Sequence, residues 1–248
     1  MSVEPLLVVD DVYKQFETQD GVVVAVDHMS FNVMPGEFLS VIGPSGCGKS
    51  TLFNMMGGLL DGYSGSVRVA GETIRGPHPS IGMIFQEEST FPWRTVLDNV
   101  AFPLEIAGMG KAERFEKARH FVDLVGLGGF EKRYPSELSG GMRQRVSMAR
   151  TLASEPKILM MDEPFAALDE QTRLLLGDKV LQIQQQLKQT TLLITHNLTE
   201  AVQLSDRILV MTYRPGKTKR IVEIKLPRPR SSEIVGSDAF GHYVAQIW

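Results

Sequence analysis

Gly43-Pro44-Ser45-Gly46-Cys47-Gly48-Lys49-Ser50 fits the spacing G-x-x-x-x-G-K-[ST] of a phosphate-binding loop. Its glycines let backbone N–H groups converge on phosphate oxygens, where side chains would obstruct them. Lys49 adds a positive charge for β- and γ-phosphates, and the Ser50 hydroxyl is a Mg²⁺ ligand of the kind such loops use. The apolar run Glu37–Ile42 precedes the loop as a strand, and Thr51–Leu60 follows as a helix whose N-terminus favours an anion.

Working outward, Ile81–Phe85, Lys157–Met161 and Thr191–Thr195 are further short apolar runs that predict strands. Arg173–Lys188 predicts an amphipathic helix with Leu176, Val180, Ile183 and Leu187 on one face. This alternation points to an α/β fold with a mostly parallel sheet. Two regions depart from it. Val8–Val33, whose strand-like runs surround Glu17–Gly21, predicts with Ser66–Ala70 a small antiparallel layer. Thr95–Ser154 reads as almost wholly helical, with Val96, Val100 and Leu104 on one stripe and Phe115, Ala118, Val122 and Val125 on another, and predicts an inserted helical subdomain over 87–155. Arg207–Tyr213 and Thr218–Leu226 flank Arg214-Pro215-Gly216-Lys217 as a hairpin. The basic residues from Arg214 to Arg230 are expected to be solvated, and Pro227 and Pro229 to loosen the chain before a tail over 231–248.

The chain's 248 residues carry 26 Lys+Arg against 29 Asp+Glu, a formal net charge of −3 that argues against a bulk electrostatic nucleic-acid binder. One cysteine excludes an internal disulfide framework and a multi-thiolate metal site, and suggests a reducing compartment. No apolar run reaches the ~18 residues of a membrane-spanning helix, and Glu4, Asp10 and Asp11 stand where a signal peptide would be basic and then apolar. A cytoplasmic protein is expected.

Ile158-Leu159-Met160-Met161-Asp162-Glu163 predicts a buried strand that delivers two carboxylates at its C-terminal end, beside the loop in this type of fold. Asp162 suits Mg²⁺ held through water, and Glu163 is placed to polarise an attacking water. Ser139-Gly140-Gly141, opening a helix over Met142–Ala153, offers a second set of free N–H groups suited to phosphate. One nucleotide does not need two such helix starts from one chain. A two-fold dimer resolves this, with each nucleotide between one copy's loop and the other's Ser-Gly-Gly. Cys47 reads first as passive, since the loop works through its backbone; a thiol near a helix N-terminus is nevertheless more reactive, which predicts that alkylation blocks nucleotide binding and that ATP protects.

These motifs, in this order around a helical insert, resemble the nucleotide-binding subunit of an ATP-binding-cassette (ABC) transporter over residues 1–230. The resemblance implies an ATP hydrolase with Mg²⁺ whose phosphate (Walker A) loop is Gly43–Thr51 and whose Walker B strand is Ile158–Glu163, with Glu163 catalytic. Gln86 would be the Q-loop residue at Mg²⁺ and water, Ala167-Leu168-Asp169 the D-loop, and His196 the switch histidine at the γ-phosphate. Leu138-Ser139-Gly140-Gly141-Met142 matches the family signature but ends in Met where Gln is usual. Phe16 sits where an aromatic stacks on adenine, Tyr13 is the other aromatic in reach, and a core position is the alternative for both. Phe85–Val96 and the Arg214–Arg230 region resemble the nitrate/sulfonate/taurine importer group, which places Trp93 either in the core or at a permease contact. The implied partners are a second copy, hydrophobic permease subunits and, indirectly, a solute-binding protein, with the chain peripheral on the cytoplasmic membrane face and no nucleic acid involved. A cytosolic ABC ATPase of the cluster-assembly type is the alternative. A phosphate-loop kinase would explain the loop but not Leu138–Met142, Ala167–Asp169 or His196.

Overall fold

A computed structural model describes residues 4–19, 21–87 and 89–247. Asp20, in the turn expected between the first strands, and Glu88, inside the importer-like stretch, lie outside the described residues.

The sheet that positions the loop has six strands in the order β10-β9-β3-β8-β7-β6. The inner strands are β3 (Phe38–Ile42), β8 (Thr190–Thr195) and β7 (Ile158–Asp162), with β6 (Ile81–Ile84) at one edge. These four and β9 (Arg207–Met211) run parallel, while β10 (Thr218–Glu223) is antiparallel to β9. The inner strands are buried on both faces, with helix α1 (Lys49–Met56) over one of them, so their apolar side chains alternate between two cores. Ile158, Met160, Leu192 and Ile194 face the core under helix α1, whereas Leu159, Met161 and Leu193 face the helical side.

The expected antiparallel layer is a second sheet, β2-β1-β4-β5 (Gly21–Val33, Leu7–Thr18, Ser64–Val69, Glu72–Thr73). Between β6 and β7 stand α2 (Val96–Ile106), α3 (Lys111–Leu124) and α4 (Gly140–Ala153). Both stripes read from the sequence are buried there, except that Phe115 packs against the core only in part. Asn99, fully buried, holds the preceding loop by accepting from Phe91 N–H (2.7 Å) and donating to Phe91 O (3.1 Å), Arg94 O (3.0 Å) and Thr95 O (2.9 Å).

Several expectations need correction. Helix α1 spans Lys49–Met56, so it begins inside the loop and ends early, where Gly57 and Gly58 follow. Helix α5 spans Glu170–Leu187, because Asp169 caps it by accepting from Thr172 N–H, and Leu187 at its end is 37% exposed. Trp93 is 73% exposed and is not a core aromatic. The basic residues over 214–230 are mostly exposed, as expected, but the last two are engaged by the rest of the chain. Arg228 pairs with Asp206 at 2.6 Å, and buried Arg230 donates to the carbonyls of Ser205, Ile224 and Leu226. After Pro229 the chain does not loosen. Helix α7 (Asp238–Ile247) follows, with Phe240 and Ile247 buried in one cluster with β9, β10 and α6 (Leu198–Leu204).

Candidate active site

Every strand of the parallel set ends at the edge where an open α/β sheet binds its ligand. From β3 the chain enters Gly43–Gly48, which turns back through left-handed positions at Gly46 (φ +73°) and Gly48 (φ +100°). A Cβ on Gly48 would lie 2.3 Å from Ala25 O, so this corner has no room for any side chain. Gly48 is the N-cap of α1, and the N–H groups of Lys49, Ser50 and Thr51 open a helix turn that lacks intrahelical acceptors for them. Lys49 is buried, and its Nζ donates to Gly43 O (2.9 Å) and Pro44 O (3.1 Å), which holds the ammonium inside the curve of the loop.

From β7 come Asp162 and Glu163. Burial raises the pKa of Asp162, a hydrogen bond from Ser50 opposes this, Glu163 adds to it, and Lys49 lowers it. Glu163 adopts φ +45°, a left-handed conformation that costs a residue with a side chain on the order of 1–3 kcal/mol. Its N–H donates to Ile194 O (2.8 Å) and its C=O accepts from Ala166 N–H (3.1 Å); at about 1 kcal/mol each, these bonds offset most of that strain. From β8 comes His196, whose Nδ1 lies 3.0 Å from Glu163 Oε2.

Phe16, Ser45, Gly46, Gly48, Lys49, Ser50, Thr51, Gln86 and Glu163 line a cleft of about 490 Å³, whereas Asp162 is not in its lining and His196 lines a neighbouring cavity with Gly43, Pro44 and Ser45. Phe16 therefore lies in the cleft, with Lys14 Nζ 5.2 Å from its ring centroid. Tyr13 instead packs on His28, ring centroids 5.2 Å apart, and donates to Gln15. Of the other histidines, His28 meets Asp11 and His78 meets Glu72, while His120 and His242 are exposed.

Ser139 and Gly141 line a different cavity, of about 470 Å³, with Arg145, Thr172 and Lys179. Ser139 caps α4 by accepting from Met142 N–H at 3.3 Å, leaving the Gly140 and Gly141 amides at an open helix start. Asp169 is occupied by the Thr172 N–H and hydroxyl, which hold its carboxyl below the usual range.

The donor set fits Mg²⁺ in a specific way. Among the described residues no three His, Cys, Asp or Glu side chains gather as a metal cage. Mg²⁺ ordinarily takes one or two protein ligands and completes its shell with phosphate oxygens and water. Ser50 and Asp162, already hydrogen-bonded to each other, match that requirement.

Cys47 departs from the expected reactivity. Its side chain is buried at 1% exposure, and burial pushes the thiol up, against the lowering effect of Lys49. The reason is packing: Cys47 sits in the core cluster with Leu52 and Met211, where the passive reading fits. The sequence reading also missed Arg214, whose Nε donates to Gly46 O at 3.1 Å and which lines the same cleft. No motif of the loop marks it. The signal is that a Pro-Gly turn follows a strand of the site-bearing sheet.

The ABC transporter family model matches residues 26–166. An aliphatic sulfonates import ATP-binding protein of Bacillus cereus is 44% identical over 223 residues, 90% of this chain and 88% of that one. A nitrate transport protein of Klebsiella oxytoca is 43% identical over 247 residues, 98% and 94% of the two chains. Among solved structures, an ATP-binding cassette dimer in a post-hydrolysis state, bound to ADP and Pi, superimposes with a TM-score of 0.76 at 28% identity, covering 89% of this chain and all of that one. Those similarities agree with a cleft lined by a phosphate loop and by Glu163, with His196 3.0 Å from that carboxylate: the chain belongs to the ABC transporter family as its ATP-binding, ATP-hydrolysing subunit, with the nitrate and sulfonate importers as its relatives.

Proposed function

We propose that this chain drives import of nitrate, a sulfonate such as taurine, or a similar small solute, as one of two copies that close around two ATP molecules. The ATPase domain is taken as residues 1–230, with 87–155 as its helical subdomain. The observation that carries the dimer is the separation of two half-sites: the cleft at Lys49 contains no residue of Ser139–Gly141, which lines a cavity of its own. A triphosphate seated on Lys49 therefore receives the Ser139 cap from a second copy, and the ATP-binding cassette bound to ADP and Pi, which is dimeric, supports such pairing.

Within one half-site, Gly43–Thr51 grips the phosphates, Phe16 stacks on adenine and Asp169 contacts the facing copy. Glu163 accepts the proton of the attacking water, and His196, 3.0 Å from it, stabilises the γ-phosphate and keeps the carboxylate in place. Ser50, Gln86 and Asp162 would hold Mg²⁺, which neutralises charge on the β- and γ-phosphate oxygens. ATP favours the closed dimer, and loss of the γ-phosphate removes that preference. Transport needs only that closed and open dimers hold the permease differently. The exposed Trp93, beside a groove of about 600 Å³ lined by Phe91, Phe102, Pro103, Ile106 and Arg150, is the surface for the permease, and a solute-binding protein outside the membrane would select the solute.

Membrane fractionation of cells that express the chain with and without the permease of its gene cluster tests this. The chain should sediment with membranes only when the permease is present, and uptake of labelled nitrate or alkanesulfonate should vanish with Glu163→Gln. A chain that stays in the supernatant beside its permease would favour a cytosolic ATPase.

A further inference from the structure

Four of the five parallel strands lead into residues assigned a role above: β3 into the loop, β6 into Gln86, β7 into Asp162 and Glu163, β8 into His196. The fifth, β9, runs through Thr212 and Tyr213 into Arg214-Pro215-Gly216-Lys217. This turn is packed against the phosphate loop. Gly216 N–H donates to Ala25 O (3.2 Å), and Asp27 N–H donates to Gly216 O (2.9 Å). A Cβ on Gly216 would stand 2.3 Å from Cys47 O and 2.8 Å from Ala25 O, so backbone lies directly on backbone there. Inside the turn, the Thr212 hydroxyl donates to Pro215 O (2.7 Å) and accepts from Lys217 N–H (2.9 Å). Lys217 Nζ pairs with Asp27 at 2.8 Å.

A turn held at so many points fixes where its first side chain begins. Arg214 reaches across the loop, its Nε on Gly46 O at 3.1 Å and its Nη2 3.2 Å from where a Gly46 Cβ would be. Among the described residues Gly46 O is the one acceptor on this guanidinium, and no carboxylate pairs with it. A guanidinium has five N–H donors, so four remain at a cleft that also holds buried Lys49. Arg214 is exposed, yet it is held to the loop and pairs with no carboxylate among the described residues. Here the backbone aims an uncompensated, fork-shaped donor at the place where the loop concentrates negative charge.

We propose that Arg214 is a nucleotide-binding residue that contacts the polyphosphate of the bound nucleotide from outside the loop. This rests on the ATP-binding function above and extends the site to the β9–β10 turn. The contact is to phosphate and not to the base, so it serves ATP and ADP alike and weakens with salt.

Calorimetric titration of ATP and ADP tests it on the full-length protein carrying Arg214→Ala, Arg214→Lys or, as a charge control, Lys225→Ala, whose side chain is far out in solvent. Arg214→Ala should weaken both nucleotides about tenfold at low salt, with the deficit shrinking as salt is raised. Arg214→Lys should recover part of the loss, and Lys225→Ala none of it should suffer. In steady state the KM for ATP should rise while kcat changes less than twofold, and the melting temperature without nucleotide should stay near that of the unsubstituted protein. Unchanged ATP and ADP affinities in Arg214→Ala would overturn the proposal, as would a loss that vanishes once a lowered melting temperature is corrected for. If the unsubstituted protein fails to bind ATP at all, the ATPase function itself is what falls.

Discussion

His196 Nδ1 stands 3.0 Å from Glu163 Oε2, so the residues that directly follow two paired strands, β8 and β7, meet beside the Lys49 cleft that Glu163 lines. Glu163 holds this contact from a left-handed backbone position (φ +45°), which a residue with a side chain seldom adopts. Gln at this position keeps the shape and the side-chain acceptor for His196 but cannot take a proton. Glu163→Gln should bind ATP normally and lose at least ~10²-fold in turnover, measured as phosphate release under saturating ATP. Near-normal release would remove Glu163 from the reaction.

Behind that pair, Glu200 ties two loops together. Its Oε1 lies 3.3 Å from Arg173 Nε, and its Oε2 accepts from the Thr195 hydroxyl at 2.6 Å, so the helix after Asp169 is joined to the residue before His196. Burial raises the pKa of Glu200, with Thr195 and Arg173 opposing the rise. The unfolded chain loses this proton near the ordinary carboxyl value of 4.5, so just above that pH the folded chain holds more protons than the unfolded. Its contribution therefore falls as pH rises through the window that begins there. Glu200→Gln lacks this dependence. Its stability relative to the unsubstituted protein, from urea denaturation at successive pH values above 4.5, should improve as pH rises. A difference that stays flat or worsens would contradict the assignment.

Cys47 offers a test by reactivity. With the side chain buried and its thiol pushed up by burial, Ellman's reagent should react at least ~10²-fold more slowly with the folded protein than with the urea-unfolded chain. Saturating ATP should change the folded rate little, because the core and not the nucleotide shields the sulfur. A fast folded-state reaction that ATP suppresses would restore the accessible thiolate expected from the helix N-terminus.

Much of this site was legible before any coordinates, for a physical reason. Backbone that must approach phosphate requires glycine at fixed spacing, and a strand buried on both faces requires an apolar run, so Gly43–Ser50 and Ile158–Glu163 declare themselves. What stayed hidden depends on which way a side chain turns once neighbours are packed. Cys47 follows a glycine in the loop, yet it sits in the core cluster with Leu52 and Met211. Arg230 looked like part of a basic tail, yet it is buried among the carbonyls of Ser205, Ile224 and Leu226. Arg214 is adjacent to the loop only because β9 lies next to β3 in the sheet, a pairing that no local pattern encodes.

The claim on which the rest depends is that the Lys49 cleft is completed by Ser139 of a second copy. Light scattering of Glu163→Gln measures this most directly. Saturating ATP should convert a 27.5 kDa species to one of twice that mass, and adding Ser139→Arg should abolish the doubling while ATP still binds each separate chain. A protein that stays at the single-chain mass with ATP bound, or a Ser139→Arg variant that pairs as readily, would contradict it.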